Sequence, residues 1–348
     1  MSSEYPAACG GDPLFLMTFS LKSPRILAII AILVVLIIGL VAYFSFSKKP
    51  NQVTSAGSPE TIKLGYLANA NSLPFFTAAQ KGYFKEAGLN VELVEFPAST
   101  QLVDAIYRGD IVGGCCGAIF SALNAQITSP GKLKIWFASD ESKSPDWNGI
   151  ILKDGLQINS VKDFEGKKIG MVAGPTTQIF QAYLKARGVD ISKVNFSAVD
   201  PKDQLTTLSA GNLDAIYAFE PNLTLSESKK IGKIYERGQI NDLYQNPSIS
   251  TGYITNDIKI SNETQASLNK AINKAIVYNK TNPEQALKES ANYLKFDPDL
   301  ASKIKKIEYF EVGSAPVQEI QKFADFLVDI SIIKQKVQID EILYKENK

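Results

Sequence analysis

The chain contains no histidine. That absence removes the commonest general base, the commonest transition-metal ligand and the middle member of most nucleophile triads. Carboxylate or lysine chemistry is what remains open to an enzyme. Cysteine is scarce, and Cys9, Cys115 and Cys116 are too few for a disulfide framework. Cys115 and Cys116 are neighbours, which in a strand point to opposite faces, and they read as small residues at a crowded strand end. Charge imbalance is missing too: 37 basic against 36 acidic residues leave a formal charge of +1. Such a balance offers no electrostatic footprint for nucleic acid. No GxxxxGK[ST] phosphate loop, no GxGxxG after a strand and no zinc-type Cys/His spacing occurs. No cofactor and no metal are expected.

One long apolar run is present. Ile26 to Phe46 carries no charge, and at ~1.5 Å per residue a helix of that length reaches ~30 Å, the thickness of a bilayer's hydrocarbon core. The exit, YFSFSKKP, is a poor cleavage site, and no cysteine follows for lipid attachment. An uncleaved signal anchor over 26–46 is therefore favoured over a cleaved signal. Lys22 and Arg25 before the run balance Lys48 and Lys49 after it, so charge alone does not orient it. A short head (1–25) and a large tail suggest a cytoplasmic head with the tail translocated, and Met17 offers an alternative start. Residues 47–60, polar with Pro and Gly, read as a flexible tether. The expectation is a single-pass cell-membrane protein, held in the bilayer through Ile26–Phe46, with its folded part extracytoplasmic.

Beyond the tether the same pattern occurs twice, from Ile62 and from Lys167. Each copy reads strand, polar loop, amphipathic helix, strand, Pro-containing turn, helix, strand. Phe75, Phe76, Ala79, Tyr83, Phe84 and Ala87 recur at helical intervals, as do Ile179, Phe180, Tyr183 and Leu184. Ser72 and Thr176 or Thr177 suit the helix starts, and Gly88, Gly109, Gly188 and Gly211 suit the helix ends. Strands separated by helices run parallel. The fold class that follows is α/β: two lobes, each a parallel-rich sheet with flanking helices, joined by a hinge the chain crosses twice. The crossings fall at Ser139–Pro145 and Tyr244–Ser250. The first lobe then comprises 61–143 plus 248–348, the second 144–247. Stripes at Leu268, Ala271, Ile272, Ala275, Ile276 and at Val317, Ile320, Phe323, Ala324, Leu327, Val328 predict late helices packed on the first lobe.

Four stretches carry a family likeness: LPFFTAAQKGYFKEAGLNVELVEF, the AIYRGDI turn, VKDFEGKKIGMVAG and LSAGNLDAIYAFEP. In order and spacing they resemble the nitrate/sulfonate/taurine and thiamine-pyrimidine-precursor branch of type II periplasmic substrate-binding proteins. The resemblance covers roughly residues 61–255. It implies the extracytoplasmic binding component of an ABC importer, a monomer that closes on a small-molecule ligand and docks on a membrane permease. The family also includes pyrimidine-precursor synthases on the same fold. Their chemistry draws on an active-site histidine, which this chain lacks, so the enzyme alternative is disfavoured. A membrane-tethered ligand sensor is the other alternative.

Open α/β sheets bind ligands beyond the carboxyl ends of their strands, near helix amino ends. That rule selects Asn69, Asn71 and Ser72, then the Ser99–Gln101 turn with Thr100 and Gln101, then the Gly113–Gly117 run with Cys116 and Gly117 in the first half. In the second it selects Thr176 and Thr177, the Asp200–Asp203 turn, and Glu220, placed to pair with an amine or a ring N–H. Trp147 either stacks on a ligand ring or packs at the connection. Ordinary capping is the competing role of the Ser and Thr residues, and tight packing that of Gly113–Gly117. Phe75 and Phe76 fall on the buried stripe and are assigned to the core. None of these loops carries Arg, and only Lys202 is basic, which favours a monoanion, zwitterion or neutral heterocycle over a multiply charged ligand.

Overall fold

The computed structural model describes residues 61–140, 147–244, 249–255 and 260–346. The expected head, anchor and tether (1–60) lie outside the described residues, as do 141–146 and 245–248, where most of the two crossings fall. Among the described residues, no helix is long and apolar enough to cross a membrane.

The first copy of the repeat folds as β1 (Thr61–Tyr66), α1 (Leu73–Gln80), α2 (Tyr83–Glu86), β2 (Asn90–Glu95), α3 (Ser99–Arg108) and β3 (Gly113–Ala118). α4 (Ile119–Thr128), β4 (Leu133–Asp140) and β5 (Asn148–Leu152) follow. The second copy is β6 (Lys168–Met171), α5 (Pro175–Ala186), β7 (Asn195–Ala198), α6 (Gln204–Ser209) and β8 (Ala215–Phe219). Then come α7 (Asn222–Lys229), β9 (Lys233–Arg237), α8 (Gln239–Leu243) and β10 (Ile249–Thr255). The rest is α9 (Asn262–Thr281), α10 (Pro283–Glu289), α11 (Ala291–Leu294), β11 (Glu308–Phe310), α12 (Val317–Asp329) and α13 (Ile339–Ile342).

These strands form two sheets, in the orders β11-β4-β10-β3-β1-β2 and β7-β6-β8-β5-β9. Each repeat supplies a parallel trio with its first strand in the middle, β2-β1-β3 and β7-β6-β8. The remaining pairs are antiparallel. β4 leaves the first sheet and β10 returns to it, and the two lie side by side, Asp140 opposite Ile249. The chain thus passes between sheets twice, along neighbouring strands.

The sequence reasons for these elements are visible locally. Gly88, Gly109, Gly188 and Gly211 all have φ between 76° and 79°, the left-handed backbone that ends a helix and that glycine adopts without strain. Phe75 and Phe76 are fully buried, Phe76 stacked on Tyr293 at 4.6 Å. α9 starts on Ser261, whose hydroxyl accepts the Thr264 N–H at 3.1 Å. It buries Leu268, Ala271, Ile272, Ala275 and Ile276 against α1 and α2. Each of the larger side chains there contributes ~1.5–3 kcal/mol on leaving water. α12 buries Ile320, Phe323, Ala324 and Leu327 and contacts α4. Both stripes therefore pack on helices of the first sheet, as their spacing predicts.

Candidate functional site

A cavity of ≈ 880 Å³, counting its solvent-open mouth, is lined from both sheets. It lies beyond the carboxyl ends of the six parallel strands. Asn69 and Asn71 follow β1, Ser99 follows β2 and Phe120 follows β3; Thr176 follows β6, Gln204 follows β7, and Glu220 follows β8. Trp147 enters from the residue before β5, and Phe323 from α12.

Of the residues singled out from sequence, Asn69, Asn71, Trp147, Thr176 and Glu220 line this cavity, and so do Ser99 and Pro201 from the selected turns. The Asn69 Oδ1 is buried and has no hydrogen-bond partner. Asn71 is buried, and its Oδ1 accepts the Ser139 hydroxyl at 3.0 Å. Trp147 is 4% exposed, stacks on Phe219 at 4.7 Å and 29°, and leaves its indole N–H unpartnered. The stack on Phe219 is packing within the protein, the second of the two roles posed for Trp147.

Glu220 departs from its expected role. Its carboxylate, 0% exposed, accepts the Thr224 N–H at 3.1 Å, the Thr224 hydroxyl at 3.1 Å and the Arg237 guanidinium at 3.2 Å. The pairing group is thus Arg237 of the protein itself. Burial pushes the Glu220 carboxyl above its ordinary range, opposed by the Thr224 hydrogen bonds and by Arg237.

Four other selected residues sit away from the cavity lining. Ser72 is fully buried but turns to β3, donating to the Cys115 carbonyl at 3.2 Å. Thr177 donates through its hydroxyl to the Val172 carbonyl at 3.2 Å and through its N–H to Gly174. Capping of α5 falls to Gly174, not to either threonine. Thr100 and Gln101 are exposed, because the first turn of α3 presents Ser99 inward; its hydroxyl meets that of Ser121 at 2.8 Å. The side chain of Cys116 and the surroundings of Gly117 lie outside the described set. Gly113 belongs to packing, since a Cβ there would stand 2.7 Å from the Tyr253 carbonyl oxygen. Cys115 is disulfide-bonded, so its Sγ, 3.2 Å from the Asn71 carbonyl oxygen, makes a contact there without a proton to donate.

Sequence reasoning missed Gln204, Asn222 and the phenylalanines of the aromatic wall, and within the selected Ser99–Gln101 turn it favoured Thr100 and Gln101 over Ser99. The Asn222 amide donates to the Gln204 Oε1 at 3.0 Å and to the Pro201 carbonyl at 2.8 Å, tying the β7 turn to the start of α7. Gln204 is adjacent to the selected Asp200–Asp203 turn and Asn222 is two residues past Glu220, so extending each loop into its helix would have found both. Phe323 gave no such signal, since its stripe position marks it only as buried.

A family model described as NMT1/THI5 like matches residues 69–286. The chain belongs to that family. A Bacillus subtilis protein named for aliphatic sulfonates binding is 25% identical over 287 residues, covering 78% of this chain and 82% of that protein. The solved alkanesulfonate-binding protein SsuA from Xanthomonas axonopodis pv. citri superposes with a TM-score of 0.67 at 15% identity, over 83% of this chain and 99% of that one. At that identity the match shows the fold: two α/β sheets of the periplasmic-binding-protein kind. A 4-amino-5-hydroxymethyl-2-methylpyrimidine phosphate synthase of Aspergillus parasiticus is 32% identical over 120 residues, about a third of each chain. The relatives thus include a protein named for binding along most of the chain and one named as an enzyme along a part of it.

Proposed function

We infer that this NMT1/THI5-like protein is the extracytoplasmic substrate-binding component of an ABC importer, not an enzyme, and captures a small solute by closure of two lobes. The observation that carries the reading is the cavity lined from the carboxyl ends of all six parallel strands. A solute there touches both sheets at once, and a ligand that adds contacts to the second half only on closure shifts the open–closed equilibrium toward closed. The proposed lobes are 61–143 plus 248–348 and 144–247, turning on the neighbouring β4 and β10 connections. An anchor at Ile26–Phe46 would hold the protein, as a monomer, at high local concentration beside its permease.

The relatives' names support sulfonate-like anions, and the synthase relative a pyrimidine, as starting candidates for the solute. Against synthase chemistry stands the absence of histidine from the whole sequence and the engagement of Glu220, the one ionisable side chain among the described residues lining the cavity, with Arg237 and Thr224. Native mass spectrometry of the purified protein, looking for a carried-over small molecule, tests the reading. Recovery of an unmodified solute, whose re-addition raises the melting temperature, supports it. Turnover of that solute by the isolated protein contradicts it.

A further inference from the structure

We propose that Asn222 is a specificity-determining residue: its amide is locked so that it offers the cleft an oxygen and no N–H, and the solute must bring an N–H or O–H donor to that point. This rests on the binding-protein reading above and narrows its substrate class to donor-bearing solutes.

A side-chain amide has two ends of nearly equal shape, and its partners alone decide which end points where. The Asn69 Oδ1 has no partner, so that amide is free to turn either end to a ligand. Asn222 differs. Its Nδ2 donates to the Pro201 carbonyl at 2.8 Å and to the Gln204 Oε1 at 3.0 Å, which uses both hydrogens. Turned over, it would set its own oxygen against the Pro201 carbonyl, a backbone acceptor that cannot turn with it. Gln204 cannot relieve that clash. Its Nε2 donates to the Tyr217 carbonyl at 3.2 Å, one residue past Ile216, which pairs β8 with Gly170 of β6. A turned Gln204 would face that carbonyl with an oxygen. Two backbone carbonyls thus fix both amides, and the chain of bonds ends on the Asn222 Oδ1.

Asn222, Gln204 and Pro201 all line the cavity. Gln204 is buried and Asn222 half-buried. Among the described residues no group of the protein donates to the Asn222 Oδ1. Its position is held as firmly as its orientation. Asn222 opens α7, and Glu220 accepts the N–H and hydroxyl of Thr224 in that same first turn. An oxygen fixed in this way accepts from an N–H or O–H and opposes the lone pairs of an aprotic group, so an analogue lacking the donor is rejected.

The test is calorimetric titration of the full-length protein with two probe pairs that differ by one donor: 2-hydroxyethanesulfonate against ethanesulfonate, and 4-aminopyrimidine against pyrimidine. Within a pair that binds, the donor-bearing member should be tighter by about tenfold. Asn222→Leu should bring that ratio close to one, whereas a merely structural role would weaken both members alike and leave the ratio in place. Asn222→Ala serves if the leucine variant does not fold. Equal affinities within a pair that binds, or a ratio that the variant leaves unchanged, overturns the inference and leaves the binding-protein reading intact. If neither pair binds, the compound recovered by native mass spectrometry decides. One without any N–H or O–H overturns the inference, as does a donor-bearing one that binds Asn222→Leu undiminished; a loss of about tenfold supports it. No binding and no recovered compound would overturn both.

Discussion

The Arg237 guanidinium reaches the fully buried Glu220 carboxylate at 3.2 Å from a side chain itself only 18% exposed. Removing the cation strands the anion. Arg237→Met should destabilise the fold by ~3–5 kcal/mol in urea unfolding at pH 7. Glu220→Gln, which keeps an oxygen for Thr224, should cost less, and the double variant should recover part of the Arg237→Met loss. Burial raises the carboxyl's folded value above its ordinary one. The folded state therefore holds the Glu220 proton more tightly, and the stability tied to that proton is lost as pH rises through the raised value. The Arg237→Met penalty should accordingly shrink as pH falls toward 4. A penalty independent of pH contradicts the assignment.

Gly113 sits where β3 crosses close to β10. A Cβ would lie 2.7 Å from the Tyr253 backbone oxygen and 2.9 Å from the Ile254 Cδ1. Backbone cannot step aside as a flexible side chain can, so Gly113→Ala should cost ~1–3 kcal/mol by overpacking. A melting temperature unchanged from wild type would show that β10 yields freely.

Trp147→Phe keeps the flat ring and deletes a donor that nothing in the protein accepts. The ligand-free variant should melt no lower than wild type. Its affinity for the compound recovered with the wild-type protein should fall about tenfold, the worth of one lost buried hydrogen bond of ~1–1.5 kcal/mol. Calorimetry reads the affinity. The other tryptophan, Trp136, is fully buried with its indole N–H on Asn269 at 2.7 Å, so ligand-dependent fluorescence should disappear in Trp147→Phe and persist in Trp136→Phe.

Asp214, just before β8, joins two strand ends by accepting Lys153 at 2.6 Å and the Lys168 N–H at 2.8 Å. Burial alone would raise its carboxyl; Lys153 and the Lys168 N–H outweigh that and hold it below the ordinary aspartate range. A lowered folded value means stability that is present above the unfolded value and lost as pH falls through the folded one. Asp214→Asn should cost about 0.5–1 kcal/mol at pH 7, given a pair whose side chains are 37% and 24% exposed. The difference from wild type should shrink as pH falls through the lowered folded value. A difference that stays constant as the carboxylates are protonated would assign the loss to shape and not to charge.

The sheets were legible in the sequence because local signals agreed. Glycines at 88, 109, 188 and 211 mark helix ends wherever the backbone must turn left-handed, and the spacing of Phe75, Phe76 and Phe84 marks a buried face. The cavity was half legible. Strand order in a repeated pattern selects loops, and so found Asn69, Asn71, Thr176 and Glu220. Which residue of a loop faces inward depends on the phase of the first helical turn, so Thr100 was chosen where Ser99 points in. Partners from distant strands carry no local signal either. Nothing near Glu220 announces that Arg237 will neutralise it, or near Trp147 that Phe323 will close the same space.

Hydrogen–deuterium exchange of the full-length protein with and without the recovered solute tests the central claim most directly. A single solute bridging the two sheets should slow exchange together in the loop around Asn69–Leu73, in the first turn of α5 after Gly174 and at the start of α7 around Asn222–Leu225. Protection confined to loops of one sheet, or lying elsewhere on the chain, would contradict it.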